Sequence, residues 1–203
     1  MEKQTFIIAI IVISFIAGSC NKEDESEQLP PITQTGANTF GFVFDGVVFT
    51  PTDSNSRGFG IDGGGTSGIS IGGAHFESEH YSNKIMAHRY TNIKNVRVIN
   101  LYLYKLYTEG IGTYYLGNYY VLDGYKEPYN SYISMFAISP STGDLTSYYS
   151  YENSGEINIT RKDEGNIYIF SGTFSGKLKS QDGEEIIEIA NGRFDIDLNT
   201  IHD

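Results

Sequence analysis

Beyond its first twenty residues the chain holds no stretch with apolar residues at i, i+3, i+4 and i+7 for three turns, and alternation is its recurring pattern. A period of two places successive side chains on opposite faces, which a pleated strand satisfies and a helix cannot. Thr39-Phe40-Gly41-Phe42-Val43-Phe44 sets Phe40, Phe42 and Phe44 on one face. Asp45-Gly46 follows, then Val47-Val48-Phe49-Thr50, and Asp-Gly accepts the positive φ values of a two-residue type I′ turn, so a hairpin opens the body. From Val96 to Leu106 the set Val96, Val98, Asn100, Tyr102, Tyr104 and Leu106 alternates with Arg97, Ile99, Leu101, Leu103 and Lys105. Both sets are rich in apolar or aromatic residues, as in a central strand covered on both sides.

Further strands are expected over 84–90, 112–116, 131–138, 155–161, 166–179 and 184–198, and the Ile69/Ile71 alternation reads as strand too. Gln181-Asp182-Gly183 joins the last two as a second hairpin. Those two runs exceed the usual five or six residues of a strand, so bends are expected, with Gly172, Gly176 and Gly192 as the places for bulges. Eight to ten strands at this spacing define an all-β fold: an antiparallel β-sandwich first, an open or lipocalin-like β-barrel as the alternative. No boundary or internal repeat appears after residue 38, so 38–203 reads as a single all-β domain.

The N-terminus carries a different message. Met1-Glu2-Lys3 precedes an apolar run from Phe6 to Ala17. In a helix that run spans about 18 Å, well short of the roughly 30 Å of a bilayer's hydrocarbon, so residues 1–19 read as a signal peptide rather than a permanent span. Ala17-Gly18-Ser19-Cys20 resembles a bacterial lipobox, and Cys20 is the only cysteine in the chain. The resemblance implies cleavage before Cys20, a diacylglycerol thioether on its sulfur and acylation of the new amino group, with palmitate-type chains as the membrane partner. Several acyl chains together anchor stably where one would not. Asn21-Lys22-Glu23-Asp24-Glu25-Ser26-Glu27-Gln28 and Leu29-Pro30-Pro31 follow, so 20–37 reads as a lipidated cysteine with a disordered acidic tether. Lys22-Glu23-Asp24 resembles the acidic export signal of Bacteroidetes-type surface lipoproteins, which implies an outer-membrane lipoprotein exposed at the cell surface, with a periplasm-facing body as the alternative.

Asn38-Thr39-Phe40-Gly41 with its Asp45-Gly46 hairpin, the mid-chain Gly112-Thr113-Tyr114, and the closing Ser171-Gly172-Thr173-Phe174 and Asn191-Gly192-Arg193-Phe194-Asp195 resemble, in that order over most of 38–198, a group of Bacteroidetes-type lipoproteins of unknown function. Related chains tend to carry Trp where this one has Phe49. The resemblance implies an all-β secreted domain and brings no catalytic residues with it.

Charge excludes some partners. Fourteen Lys and Arg against 25 Asp and Glu give a formal charge of -11, the opposite of what phosphate neutralisation requires, so no nucleic-acid partner is expected. One cysteine excludes a disulfide framework or a multi-cysteine zinc site. Gly58-Phe59-Gly60-Ile61-Asp62-Gly63 matches a dinucleotide fingerprint in spelling, but no buried strand precedes it and no helix follows. Gly68-Ile69-Ser70-Ile71-Gly72 matches a nucleophile elbow, yet nothing helical follows it either. His75, Glu77, Glu79 and His80 form the densest group of potential metal ligands, without the spacing of the known helical zinc motifs. Loop acids Asp53, Asp62, Asp123, Asp144 and Asp163 lack the spaced calcium pattern and are explained by turn chemistry. Asp195 and Asp197 would share a strand face with Cα atoms about 6.7 Å apart, as a soluble outer face opposite Phe194, Ile196 and Leu198.

Tyrosine is the one unusual hint of function. Thirteen of the sixteen tyrosines lie between Tyr102 and Tyr151, including the pairs Tyr114-Tyr115, Tyr119-Tyr120 and Tyr148-Tyr149. One member of each adjacent pair can be buried while the other offers an apolar ring and a hydroxyl to a sugar or a protein. Tyr114, Tyr119, Tyr125, Tyr129 and Tyr148 are the candidate contacts. Without a catalytic motif or any cofactor signature, the leading expectation is a non-catalytic, lipid-anchored binding module for extracellular glycan or protein. The rivals are a small hydrolase using a metal at His75, Glu77, Glu79 and His80 or a carboxylate pair, and a structural subunit of an envelope complex.

Overall fold

The Asp45-Gly46 hairpin forms as the sequence requires: Asp45 and Gly46 take φ values of 48° and 73°, and Phe44 pairs with Val47 across the turn. A computed structural model describes residues 28–52, 68–73, 83–89, 96–119, 129–163 and 169–201. Among these, ten strands follow one another: β1 (Thr39–Phe44), β2 (Val47–Phe49), β3 (Ile69–Gly73), β4 (Asn83–His88), β5 (Val96–Leu103), β6 (Gly112–Tyr115), β7 (Tyr132–Ile138), β8 (Leu145–Lys162), β9 (Ile169–Ser180) and β10 (Ile186–Asp197). All strand pairs are antiparallel, and they join into one sheet in the order β2-β1-β10-β9-β8-β7-β5-β4-β3. The all-β antiparallel class is therefore met, as a ten-stranded sheet curled into a half-barrel.

Long, bent strands let one sheet make two walls. The first part of β8, Leu145 to Tyr149, pairs with β7, while its second part, Glu156 to Ile159, pairs with β6. Between them the pairing with β9 jumps from Ser150–Leu178 to Gly155–Gly176, five residues against two, and Asn153 sits at φ 58°. A second bulge lies between Ile159 and Arg161, opposite Gly172 and Ser171. The third is in β10, between Ile189 and Gly192, with Asn191 at φ 54°. Each predicted glycine thus flanks a bulge, although at Gly172 and Gly176 the extra residues belong to the partner strand.

Inside the curl lie Phe40, Phe42, Phe49, Phe174 and Phe194, with ring centroids 4.8–6.5 Å apart in tilted and edge-on pairs. Such pairs add about 0.5–1.5 kcal/mol each beyond the area they bury. Ile85, Ile99, Leu101, Leu103, Ile133 and Met135 continue the core toward the other wall. One expectation changes here. Lys105 takes a left-handed φ of 57°; β5 ends at Leu103, three residues short of the expected run, and a single helical turn follows, α1 (Leu106–Glu109). That turn drives Leu106 into the core with Leu101 and Leu103, rather than onto the face of Tyr102.

The segment after β2 reaches the ends of β3 and β4. Beyond β2 the Thr52 N–H donates to His88 O at 3.2 Å, and His88 N–H donates to Gly68 O at 2.9 Å. Arg89, 8% exposed, donates from Nε and Nη2 to Thr50 O at 2.9 and 2.7 Å, with its guanidinium 5.0 Å from the Phe49 ring centre. Phe49 is thus both a core residue and the platform for this cation.

Candidate functional site

Asp195 was expected on a soluble outer face, and it is only 1% exposed. It sits beneath the segment 29–37, the last part of the stretch expected to be a disordered tether. Leu29 and Pro30 cross β1 at Gly41, where a Cβ would stand 2.7 Å from Pro30 Cδ. Thr33 Oγ1 donates to Asp195 Oδ2 at 2.6 Å, and the N–H groups of Thr35 and Ala37 reach the same oxygen at 2.9 and 3.2 Å. Gly36 N–H and Ser171 Oγ donate to Oδ1 at 2.9 and 2.7 Å. Three backbone amides can converge because Gly36 takes φ 76°, and a Cβ there would lie 2.8 Å from Asp197 Cβ. Burial alone would raise the Asp195 carboxyl; donation from Thr33, Ser171, Thr35 and Gly36 outweighs it and holds the group well below the usual carboxylate range. Asn38 completes the fastening, donating to Thr200 Oγ1 and accepting from Asp197 N–H, both at 2.9 Å. The folded body therefore takes in 29–37 as a strap over β1 and β10.

What the strap leaves uncovered is the outer face of β6, β8 and β9. Tyr114, Ile157, Phe174 and Phe194 point inward, so their neighbours Thr113, Tyr115, Glu156, Asn158, Thr173, Ser175 and Arg193 point out. Register sets them in rows: Tyr115 beside Glu156 beside Ser175, and Thr113 beside Asn158 beside Thr173 beside Arg193. Tyr115 is 69% exposed, and Ile111 stands exposed on the same edge. A cleft of about 230 Å³ opens between this face and the strap, lined by Ile32, Glu156, Thr173, Ser175, Asn191 and Arg193. Arg193 Nη1 donates to Pro30 O at 3.2 Å, tying the cleft's far wall to the sheet.

Most of the candidate tyrosines lie elsewhere. Tyr114 is buried and donates to Gly110 O at 2.6 Å; burial, then the nearby Glu109 charge, pushes its phenol up to about 12. Tyr148 is 0% exposed and donates to the Glu185 carboxylate, which also accepts from Ser139 Oγ at 2.7 Å and Ser141 N–H at 3.1 Å. Neither ring can meet a ligand, and both are corrected to structural residues. Tyr119 is half-buried, stacked on Tyr149 at 4.3 Å and edge-on to Tyr132 at 4.9 Å, and Tyr132 in turn stacks on Tyr102 at 4.9 Å. Tyr129, 74% exposed, remains free to touch a partner. Tyr125, and the group His75, Glu77, Glu79 and His80, lie outside the described residues, as do Asp53, Asp62, Asp123 and the glycine-rich 58–63. Cys20 lies outside them too.

The remaining motifs resolve simply. Ser70 lies within β3, antiparallel to β4, with strand on both sides of it from Ile69 to Gly73 rather than the turn that presents a nucleophile. Asp163 pairs with Arg161, and no three His, Cys, Asp or Glu side chains converge among the described residues. Compared with family models, with curated proteins and with solved structures, the chain matches none of them.

Proposed function

We propose that this chain is a lipid-anchored cell-envelope protein of the Bacteroidetes-type lipoprotein kind, surface-exposed, whose body binds an extracellular glycan or protein without transforming it. The observation that carries this reading is the open face around Tyr115, where one exposed ring stands among a carboxylate, a guanidinium, an amide and three hydroxyls. An aromatic ring supplies contact area at little entropic cost, and the polar neighbours supply orientation. The carboxylates with the most hydrogen-bond donors, Asp195 and Glu185, favour binding over hydrolysis. Their lone pairs are occupied by the protein's own donors, so neither stands ready as a general acid or base.

Two measurements test the two halves of the proposal. Labelled palmitate supplied to cells should enter the wild-type chain and not Cys20→Ser; equal incorporation overturns the anchor. A soluble form lacking residues 1–19 and carrying Cys20→Ser should retain a ligand in glycan-array or pull-down screens. Tyr115→Ala should weaken that capture at least tenfold without lowering the melting temperature, because the ring covers no core. Blank screens, or full capture by the variant, count against the face.

A further inference from the structure

The cleft between strap and sheet has a property that the rest of the open face lacks: opposite charges on its two sides that do not neutralise each other. Glu156 enters from β8 and Arg193 from β10, on strands separated by β9. Among the described residues the one ion pair within 4.0 Å is Arg161–Asp163, so these two charges face the cleft without contact. Arg193 is held in place by Asn191 O and Pro30 O, each 3.2 Å away. Between the charges stand the Thr173 and Ser175 hydroxyls of β9, with the Asn191 amide on the Arg193 side, all able both to donate and to accept. Ile32 adds an apolar wall from the strap.

We infer that this cleft is a subsite for one neutral pyranose ring, which deepens the binding reading above and rests on it. An anion satisfying Arg193 would face the Glu156 carboxylate, and a cation satisfying Glu156 would face the guanidinium. A ligand whose groups are each donor and acceptor meets both: adjacent hydroxyls donate to Glu156 and accept from Arg193. Ile32 then covers the sugar's C–H face. Size agrees with this: an open cleft of about 230 Å³ has room for a single ring. Tyr115, beside Glu156 at the cleft's outer end, is placed to stack on the next ring of a chain.

The soluble form described above, isotopically labelled, can be titrated with methyl glycosides of glucose, galactose and mannose, with glucuronate, and with glucosamine. At least one neutral glycoside should produce saturable shifts at the amides of Ser175, Asn191, Gly192 and Arg193, at millimolar concentration. Glu156→Gln, an exposed side chain outside the core, should weaken that binding at least tenfold. Tighter binding of glucuronate or glucosamine than of every neutral glycoside overturns the inference, as does an unchanged affinity in Glu156→Gln. If these amides stay unmoved while a polymer or protein is still captured through Tyr115, the binding face stands and the pyranose subsite falls. If nothing binds in either experiment, both fall.

Discussion

Asp195→Asn is expected to cost about 2–4 kcal/mol and to free the strap from the sheet. The substitution keeps the shape of the side chain but turns one acceptor oxygen into a donor. Every partner around it is a donor already: Thr33, Thr35, Gly36, Ala37 and Ser171. The hydroxyls can rotate, whereas the amides of Thr35, Gly36 and Ala37 cannot. At about 2–4 °C per kcal/mol for a body of this size, the melting temperature should fall by roughly 5–15 °C. Amide exchange at Thr35, Gly36 and Ala37 should accelerate, while the β9–β10 ladder keeps its protection.

The same carboxylate gives a pH signature. Its folded pKa is depressed below the unfolded value of about 3.9, so its contribution is complete above that value and is lost as pH falls through the folded one. In urea melts, wild type and Asp195→Asn should differ by a constant amount above about pH 5, and the gap should close progressively below pH 4. A gap that holds steady to pH 2 would remove the charge from the explanation and leave shape alone.

How much of this was legible beforehand depends on whether the partner was near in sequence. The Asp45-Gly46 hairpin and the alternation of Phe40, Phe42 and Phe44 are local facts, and they came out as read. Asp195 is the opposite case. Alternation against Phe194 and Ile196 correctly puts it on the outer face, but what covers that face lies about 160 residues away, in a stretch whose composition reads as spacer. The turn-forming Thr35-Gly36 pair was the one available sign that this stretch settles onto something. Tyrosine pairs show a different limit. Alternation says that one of Tyr114 and Tyr115 faces out, yet which one is decided by the pairing of β6 with β8, and the outward ring is Tyr115. In β8 the bulge over 151–154 resets the alternation midway. Its first half, rich in Ser, Thr and Tyr, therefore went unread as strand while 155–161 was recognised.

Arg89 carries the other large effect, because the curl of the sheet has its fastening there. Arg89→Met keeps most of the stem volume but leaves Thr50 O without the two N–H donors it now accepts at 2.9 and 2.7 Å, and removes the cation from the face of Phe49. Stripping the half-buried Thr50 carbonyl of charged donors and losing the cation–π contact together should cost about 2–4 kcal/mol. Arg89→Lys should recover less than half of that, since a single ammonium on a flexible stem cannot reproduce a planar fork that also lies over an aromatic ring. The loss should be local first. Exchange at the Thr52 amide, which joins the segment after β2 to β4 through His88 O, should speed up well before the β8–β9–β10 ladders respond. Should lysine restore full stability, or should all ladders loosen together, the seam at Thr50 would not be what keeps the sheet curled, and the phenylalanine cluster alone would have to hold it.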